Sequence, residues 1–164
     1  MKKFYSFNEF INDLPILADK IQEFNPDALL AIARGGLTLG HFLAERLNTR
    51  EVYAINAISY ENEKKLGFIK IFNIPNLKDK KKIILIDDIS DSGETLFAIK
   101  ELITNKYPNI SIKTATLFYK KDTKVMPDFS IKEANEWIVF FWDKEGQEIS
   151  VENGELRVEN GENV

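Results

Sequence analysis

Two adjacent aspartates, Asp87 and Asp88, close a short apolar run and open the loop Ile89-Ser90-Asp91-Ser92-Gly93-Glu94-Thr95. Where that loop turns into a helix, the backbone N–H groups of Ser92 to Thr95 can enclose a phosphate, helped by the hydroxyls of Ser92 and Thr95. Gly93 lets the chain pass close to such an anion. The paired carboxylates can accept hydrogen bonds from a vicinal diol, and one of them can reach a hydrated magnesium ion, which prefers carboxylate and phosphate oxygens. Taken alone, two acids at a strand end read equally well as a solvated terminus. No Gly-Lys-Ser/Thr sequence is present in this loop, so it is not a P-loop.

That chemistry needs a scaffold, and the surrounding pattern supplies one. Ala28-Leu29-Leu30-Ala31-Ile32-Ala33 and Ile83-Ile84-Leu85-Ile86 are short and continuously apolar, as central parallel strands covered on both faces are. The first ends at Arg34-Gly35-Gly36 and the second at the aspartates. Leu39, Phe42, Leu43 and Leu47 follow the first at helical spacing; Leu96, Ile99, Leu102 and Ile103 follow the second. Val52–Ile58 and Ile110–Tyr119 read as further strands and Phe68–Phe72 as a returning one, with the charged stretch 59–67 as a mobile loop. Near the N-terminus, Ser6 and Glu9 form a capping-box pattern, and Pro15 is expected to interrupt or restart the helix that runs to Phe24. Strands alternating with helices predict a right-handed α/β sheet whose ligands lie beyond the carboxyl ends of the strands. Both punctuated strand ends fall there.

Composition narrows the chemistry further. The 164 residues, 44% hydrophobic and 29% charged, suit one globular domain with its own core. The absence of cysteine excludes disulfides, cysteine-rich zinc sites and a thiol nucleophile, and the single His41 cannot build a histidine metal cluster. The first ten residues lack the unbroken apolar core of a secretory signal, and no stretch is apolar for long enough to span a bilayer, so a cytoplasmic protein without membrane insertion is expected. The net charge of -4 resides in residues 144–164, where six glutamates face Lys144 and Arg157. The body is formally neutral and carries no sign of the basic surface that nucleic-acid binding requires. Within that tail Val-Glu-Asn-Gly-Glu occurs at 151–155 and again at 158–162, which predicts an acidic, flexible segment after a domain ending near Asp143.

The full pattern from Ile83 to Thr95 resembles the phosphoribosyl-diphosphate signature of the type I phosphoribosyltransferases: four apolar residues, two acids, two variable residues, then Asp-Ser/Thr-Gly-x-Thr. Ile32-Ala33-Arg34-Gly35-Gly36-Leu37 resembles the diphosphate loop of the same enzymes. The resemblance implies that Arg34 pairs with diphosphate oxygens, that Gly35 and Gly36 turn backbone N–H groups toward them, and that the Ala33–Arg34 peptide is cis. Ser59-Tyr60 resembles the opening of the lid in the 6-oxopurine members. Lys64 and Lys65 read first as a solvated charged loop, with a role in lid closure as the second reading. Lys120, at a strand end, and Trp137-Ile138 resemble the base-recognition elements of the xanthine-guanine enzymes: Lys120 toward the six-position oxygen, Trp137 stacking on the purine, and the Ile138 carbonyl accepting from the amino group of guanine. Phe140, Phe141 and Trp142 read as core. Phe141 stands where many relatives have proline.

The fold implied is the type I phosphoribosyltransferase fold, a mostly parallel sheet flanked by helices with a small hood over the base site. The activity implied is a magnesium-dependent displacement of diphosphate from phosphoribosyl diphosphate by a 6-oxopurine (guanine, xanthine or hypoxanthine) in purine salvage. Asp87 and Asp88 would fix the ribose hydroxyls, with Asp88 toward the metal, while Asp91 to Thr95, Glu94 included, would form the phosphate loop. Asp91 is the candidate acceptor for the purine imidazole proton, and equally a candidate helix cap. The family implies a homo-oligomer, a dimer or a tetramer. Two alternatives stay open: another base (adenine, orotate or uracil), or a regulator that senses phosphoribosyl diphosphate without catalysis.

Overall fold

A computed structural model of the chain describes residues 1–60 and 67–153. In chain order the elements are β1 (Lys2–Tyr5), α1 (Phe7–Phe24), β2 (Ala28–Ala33), α2 (Gly35–Arg46), β3 (Val52–Tyr60), β4 (Phe68–Phe72), β5 (Lys82–Ile86), β6 (Ile89–Ser90), α3 (Glu94–Lys106), β7 (Ser111–Ala115), β8 (Phe118–Tyr119), β9 (Lys132–Glu133), β10 (Trp137–Phe140) and α4 (Lys144–Glu152). They fall into two units, Asp13–Ala134 and a smaller one made of Met1–Asn12 with the chain from Asn135 onward.

The larger unit is built on a five-stranded sheet in the order β4-β3-β2-β5-β7, parallel except for the antiparallel edge strand β4. Both faces of its centre are covered, which is why β2 and β5 carry no polar alternation. Leu30, Ile32, Ile55, Ile83 and Leu85 pack with Leu96, Ile99 and Ile103 of α3. On the opposite pleat, α2 approaches so closely that a Cβ on Gly40 would stand 2.9 Å from the Ala31 Cβ. This is an α/β fold with a mostly parallel sheet flanked by helices.

Three expectations change in physical detail. Pro15 does not break α1. A proline inside a helix costs about 3 kcal/mol, whereas Leu14, Leu17, Ala18 and Ile21 form one buried stripe along α1, each large aliphatic contributing about 1.5–3 kcal/mol. The strand expected over Ile110–Tyr119 is split. The Leu117 and Phe118 amides both donate to the Asp88 carbonyl, at 3.0 and 3.2 Å. That bond pair diverts the chain into β8, which joins β6 and β9 in a separate small sheet. The third change concerns the tail expected to be flexible from residue 144. Over Lys144–Glu152 it is the helix α4, with Gly146 and Ser150 buried. The stretch 154–164 lies outside the described residues.

In the smaller unit β1 and β10 pair in parallel, from Lys2 opposite Trp137 to Tyr5 opposite Phe140. The capping box forms as expected: the Ser6 amide donates to Glu9 Oε2 at 2.9 Å and the Glu9 amide to Ser6 Oγ at 3.2 Å. Phe141 sits edge-on to Phe7 and, with Phe10 and Trp142, completes an aromatic cluster in which Trp142 stacks on Phe140. Gly146 rests against the Phe140 carbonyl, a contact that lets α4 begin directly after the strand.

Candidate active site

The loops after β2 and β5 leave adjacent strands at their carboxyl ends. From there β2 leads through α2 to β3 on one side, and β5 leads through α3 to β7 on the other. The loops therefore flank the point at which strand order reverses, where open α/β sheets form their ligand crevice. Glycines allow the two loops to meet. Gly36 lies against the Ile86 carbonyl, and a Cβ there would also come within 3.2 Å of the Asp87 Cα. Gly35 lies beneath the Asp88 carboxylate, whose Oδ2 would be 2.6 Å from a Cβ. The Ala33–Arg34 peptide is cis, and the exposed Arg34 occupies the N-cap position of α2.

Beyond β5 opens a cavity of about 260 Å³ lined by Ser59, Asp87, Asp88, Asp91, Ser92 and Thr95, among others. The Asp88 amide donates to Asp87 Oδ1 at 3.0 Å, and the Asp87 amide donates to the Ala115 carbonyl at 3.2 Å. Asp87 as a residue is only half-buried, yet its carboxyl is sunk into the structure. Burial, and secondly the neighbouring Asp88 carboxylate, push that carboxyl well above its ordinary value of 3.8. The sign follows from proton binding. Between pH 4 and the raised native value, roughly, the folded state holds a proton that the unfolded state has lost, so this group's contribution to stability falls as pH rises. Asp87→Asn removes the penalty, and the ligand-free variant is expected to melt about 2–4 °C higher at neutral pH, about 1 kcal/mol of stabilisation. Melting curves at pH 4 and pH 7.5 check this: the gain should shrink at the lower pH, and an equal gain at both would contradict it.

Gly93 caps α3 with φ 79°, in the left-handed region that favours glycine. It is also crowded from outside, since a Cβ there would stand 2.5 Å from Thr123 Oγ1 and 2.6 Å from the Val125 amide. Asp91 does not cap the helix. Its carboxylate lies 2.6 Å from Lys120 Nζ, and the Lys120 amide donates to the Ser90 carbonyl at 2.9 Å. The candidate proton acceptor and the candidate base-recognition lysine are thus paired. Glu94 directs its carboxylate to Lys124 Nζ at 3.3 Å. The buried Ser90 hydroxyl bonds Thr123 Oγ1 and the Val125 carbonyl, both at 2.8 Å. No local pattern in the sequence marks Ser90, Thr123 or Lys124, because their partners are some thirty residues away.

Ser59 and Tyr60 end β3 rather than opening a loop: they pair with Ile69 and Phe68, and Tyr60 stacks on Phe68. Lys64 and Lys65 lie outside the described residues. In the smaller unit Trp137 is 61% exposed at the start of β10, and Ile138 is buried. The Trp137 and Phe141 amides donate to the Met1 and Tyr5 carbonyls. That phase turns odd-numbered residues of β10 toward β1 and leaves the Ile138 carbonyl on the other side.

No group of three or more potential metal ligands occurs among the described residues. The site fits magnesium in another way, because that ion takes one or two carboxylates and completes its shell with phosphate oxygens and water. Asp88, whose carboxylate lies over Gly35, supplies such a carboxylate beside a turn suited to phosphate.

The arginine–glycine turn, the acid pair and the hydroxyl-rich helix start thus meet around the switch point of a mostly parallel α/β sheet. The chain belongs to the phosphoribosyl transferase domain family, whose model matches residues 15–148. It is 31% identical over 147 residues to a xanthine-guanine phosphoribosyltransferase of Cereibacter sphaeroides, with 84% of each chain covered. Among solved structures it resembles a Helicobacter pylori xanthine-guanine-hypoxanthine phosphoribosyltransferase at 38% identity and TM-score 0.84, covering 92% of this chain and 99% of that one. A purine phosphoribosyltransferase from Pyrococcus horikoshii is 31% identical, with TM-score 0.77, covering 87% of this chain and 95% of that one.

Proposed function

We propose that this chain transfers the 5-phosphoribosyl group of phosphoribosyl diphosphate to a 6-oxopurine (guanine, xanthine or hypoxanthine), releasing diphosphate, as a cytoplasmic purine-salvage enzyme. The observation that carries the reading is the meeting of the two loops, with the Asp88 carboxylate lying over Gly35. A diphosphate held by Arg34 and the backbone of Gly35 and Gly36 would then join a ribose whose hydroxyls face Asp87 and Asp88. Its 5-phosphate would fall to the Ser92–Thr95 turn. Magnesium, with Asp88 as its protein ligand, would offset the charge of the departing diphosphate. The attacking purine nitrogen becomes cationic as its bond to the anomeric carbon forms, and Asp91 accepts the ring proton. Ser59 and Tyr60 belong to the segment that would keep water from the cation-like sugar. Lys120, released from Asp91 or shared with it, would donate to the six-position oxygen.

Trp137→Ala is expected to raise the KM for base about tenfold, in line with the 1–3 kcal/mol of one lost stacking contact. Because the residue is 61% exposed, the melting temperature should hold. A raised KM for phosphoribosyl diphosphate instead would remove Trp137 from the base site. The reading as a whole is tested by incubating the protein with phosphoribosyl diphosphate, magnesium and each of guanine, xanthine, hypoxanthine, adenine, orotate and uracil. Nucleotide formed from one or more 6-oxopurines supports it, and turnover of another base alone reassigns the substrate. Tight binding of phosphoribosyl diphosphate with no turnover makes the chain a regulator. A homodimer or tetramer is the assembly the resemblance implies, and sedimentation equilibrium measures it.

A further inference from the structure

Glu94 is an awkward residue for its position. It follows Gly93 in the turn whose Ser92, Gly93 and Thr95 line the cavity, and a carboxylate there repels any phosphate that enters. The structure shows where that charge goes. Lys124 Nζ lies 3.3 Å from Glu94 Oε2 and 4.0 Å above the centre of the Phe97 ring, one helical turn along α3. The ammonium is held between a carboxylate and an aromatic face, two contacts that fix its place. Its backbone is fastened too. The Lys124 amide donates to the Ser92 carbonyl at 2.8 Å, inside the same turn. Thr123, next to it, is bound by the buried Ser90 hydroxyl, and Gly93 has no side chain to keep the segment away.

We infer that Lys124 is a positioning residue of the phosphate turn: it draws the Glu94 carboxylate aside and cancels its charge, so that the Ser92–Thr95 amides can hold the 5-phosphate. This inference rests on the function proposed above. It accounts for a tolerated glutamate at a place where an acid alone would weaken binding. The pair is half-exposed, so its effect is modest and sensitive to salt.

The test is a double-mutant cycle on the dissociation constant of phosphoribosyl diphosphate with magnesium, with ribose 5-phosphate as a second probe that lacks the diphosphate. Lys124→Met keeps most of the alkyl chain over Phe97 and removes the charge. It is expected to weaken both probes about fivefold at low salt, less at 0.5 M salt, with kcat at saturation changed by less than about twofold. Adding Glu94→Gln to Lys124→Met should recover most of the loss, while Glu94→Gln alone should tighten binding by less than it does in that background. Lys124→Arg should bind as the unaltered protein does. If the unaltered protein binds while Lys124→Met binds equally well, or if Glu94→Gln does not rescue it, the inference about Lys124 falls and the proposed function stands. If the unaltered protein binds neither probe, both fall. Equal melting temperatures across the cycle separate this from misfolding; a Lys124→Met protein that melts early and is not restored by Glu94→Gln would mark Lys124 as merely structural.

Discussion

Asp91→Asn is expected to lower kcat about 10²- to 10⁴-fold, the range general-base assistance supplies, while the protein remains folded. Asparagine keeps the size of the side chain and still accepts a hydrogen bond from Lys120, but it takes up no proton. The Lys120–Asp91 pair is exposed by 36% and 50%, and such pairs contribute little to folding, so melting should shift by no more than a degree or two. The KM for phosphoribosyl diphosphate should change far less than kcat, because the phosphate turn is held by other bonds. Lys120→Met is the companion measurement. If Asp91 acted only by holding Lys120 in place, the two variants would lose the same activity; a proton acceptor makes the Asp91→Asn loss much the larger. A fall below about threefold would leave Asp91 without a chemical role.

Gly36→Ala should produce the largest effect on stability. A methyl group there meets the Ile86 carbonyl oxygen, the carbon behind it and the Asp87 Cα, all backbone atoms of the central strand and its exit. None can move without displacing β5, so overpacking is expected to cost about 2–3 kcal/mol, a drop in melting temperature of roughly 4–12 °C for a chain of this length. Relief would come from α2 backing away, which also parts the diphosphate turn from the acid pair and raises the KM for phosphoribosyl diphosphate. Gly35→Ala makes the contrast. Its nearest neighbours are the Asp88 carboxylate atoms, a side chain that can rotate, so it should melt close to the unaltered protein yet bind magnesium and phosphoribosyl diphosphate poorly. Equal melting temperatures for the two variants would contradict the packing described.

The sequence displays those features that local chemistry dictates. β2 and β5 are legible because burial on both faces leaves unbroken apolar runs over 28–33 and 83–86, and the turns after them because glycines, paired acids and small hydroxyls occur together there. The helix over 94–106 shows in the spacing of Leu96, Ile99 and Ile103. What was not legible depends on distant partners. The break after Ala115 is made by the Asp88 carbonyl, which no pattern within 110–119 reveals. The continuity of α1 through Pro15 comes from a buried stripe that outweighs a local penalty. The helix α4 hides in a glutamate-rich stretch because its burial rests on two small residues, Gly146 and Ser150. In the site, Asp91 reads as a helix cap as well as a proton acceptor, and only the backbone shows that the cap position of α3 belongs to Gly93.

The most direct measurement is the stoichiometry of one reaction: purified protein, magnesium, phosphoribosyl diphosphate and hypoxanthine, guanine or xanthine, with diphosphate and nucleoside monophosphate quantified together. One diphosphate is expected for each nucleotide formed, with loss of both in Arg34→Ala and Asp91→Asn proteins. Phosphoribosyl diphosphate that binds and stays intact with every 6-oxopurine, or diphosphate released without nucleotide, would contradict the proposed function.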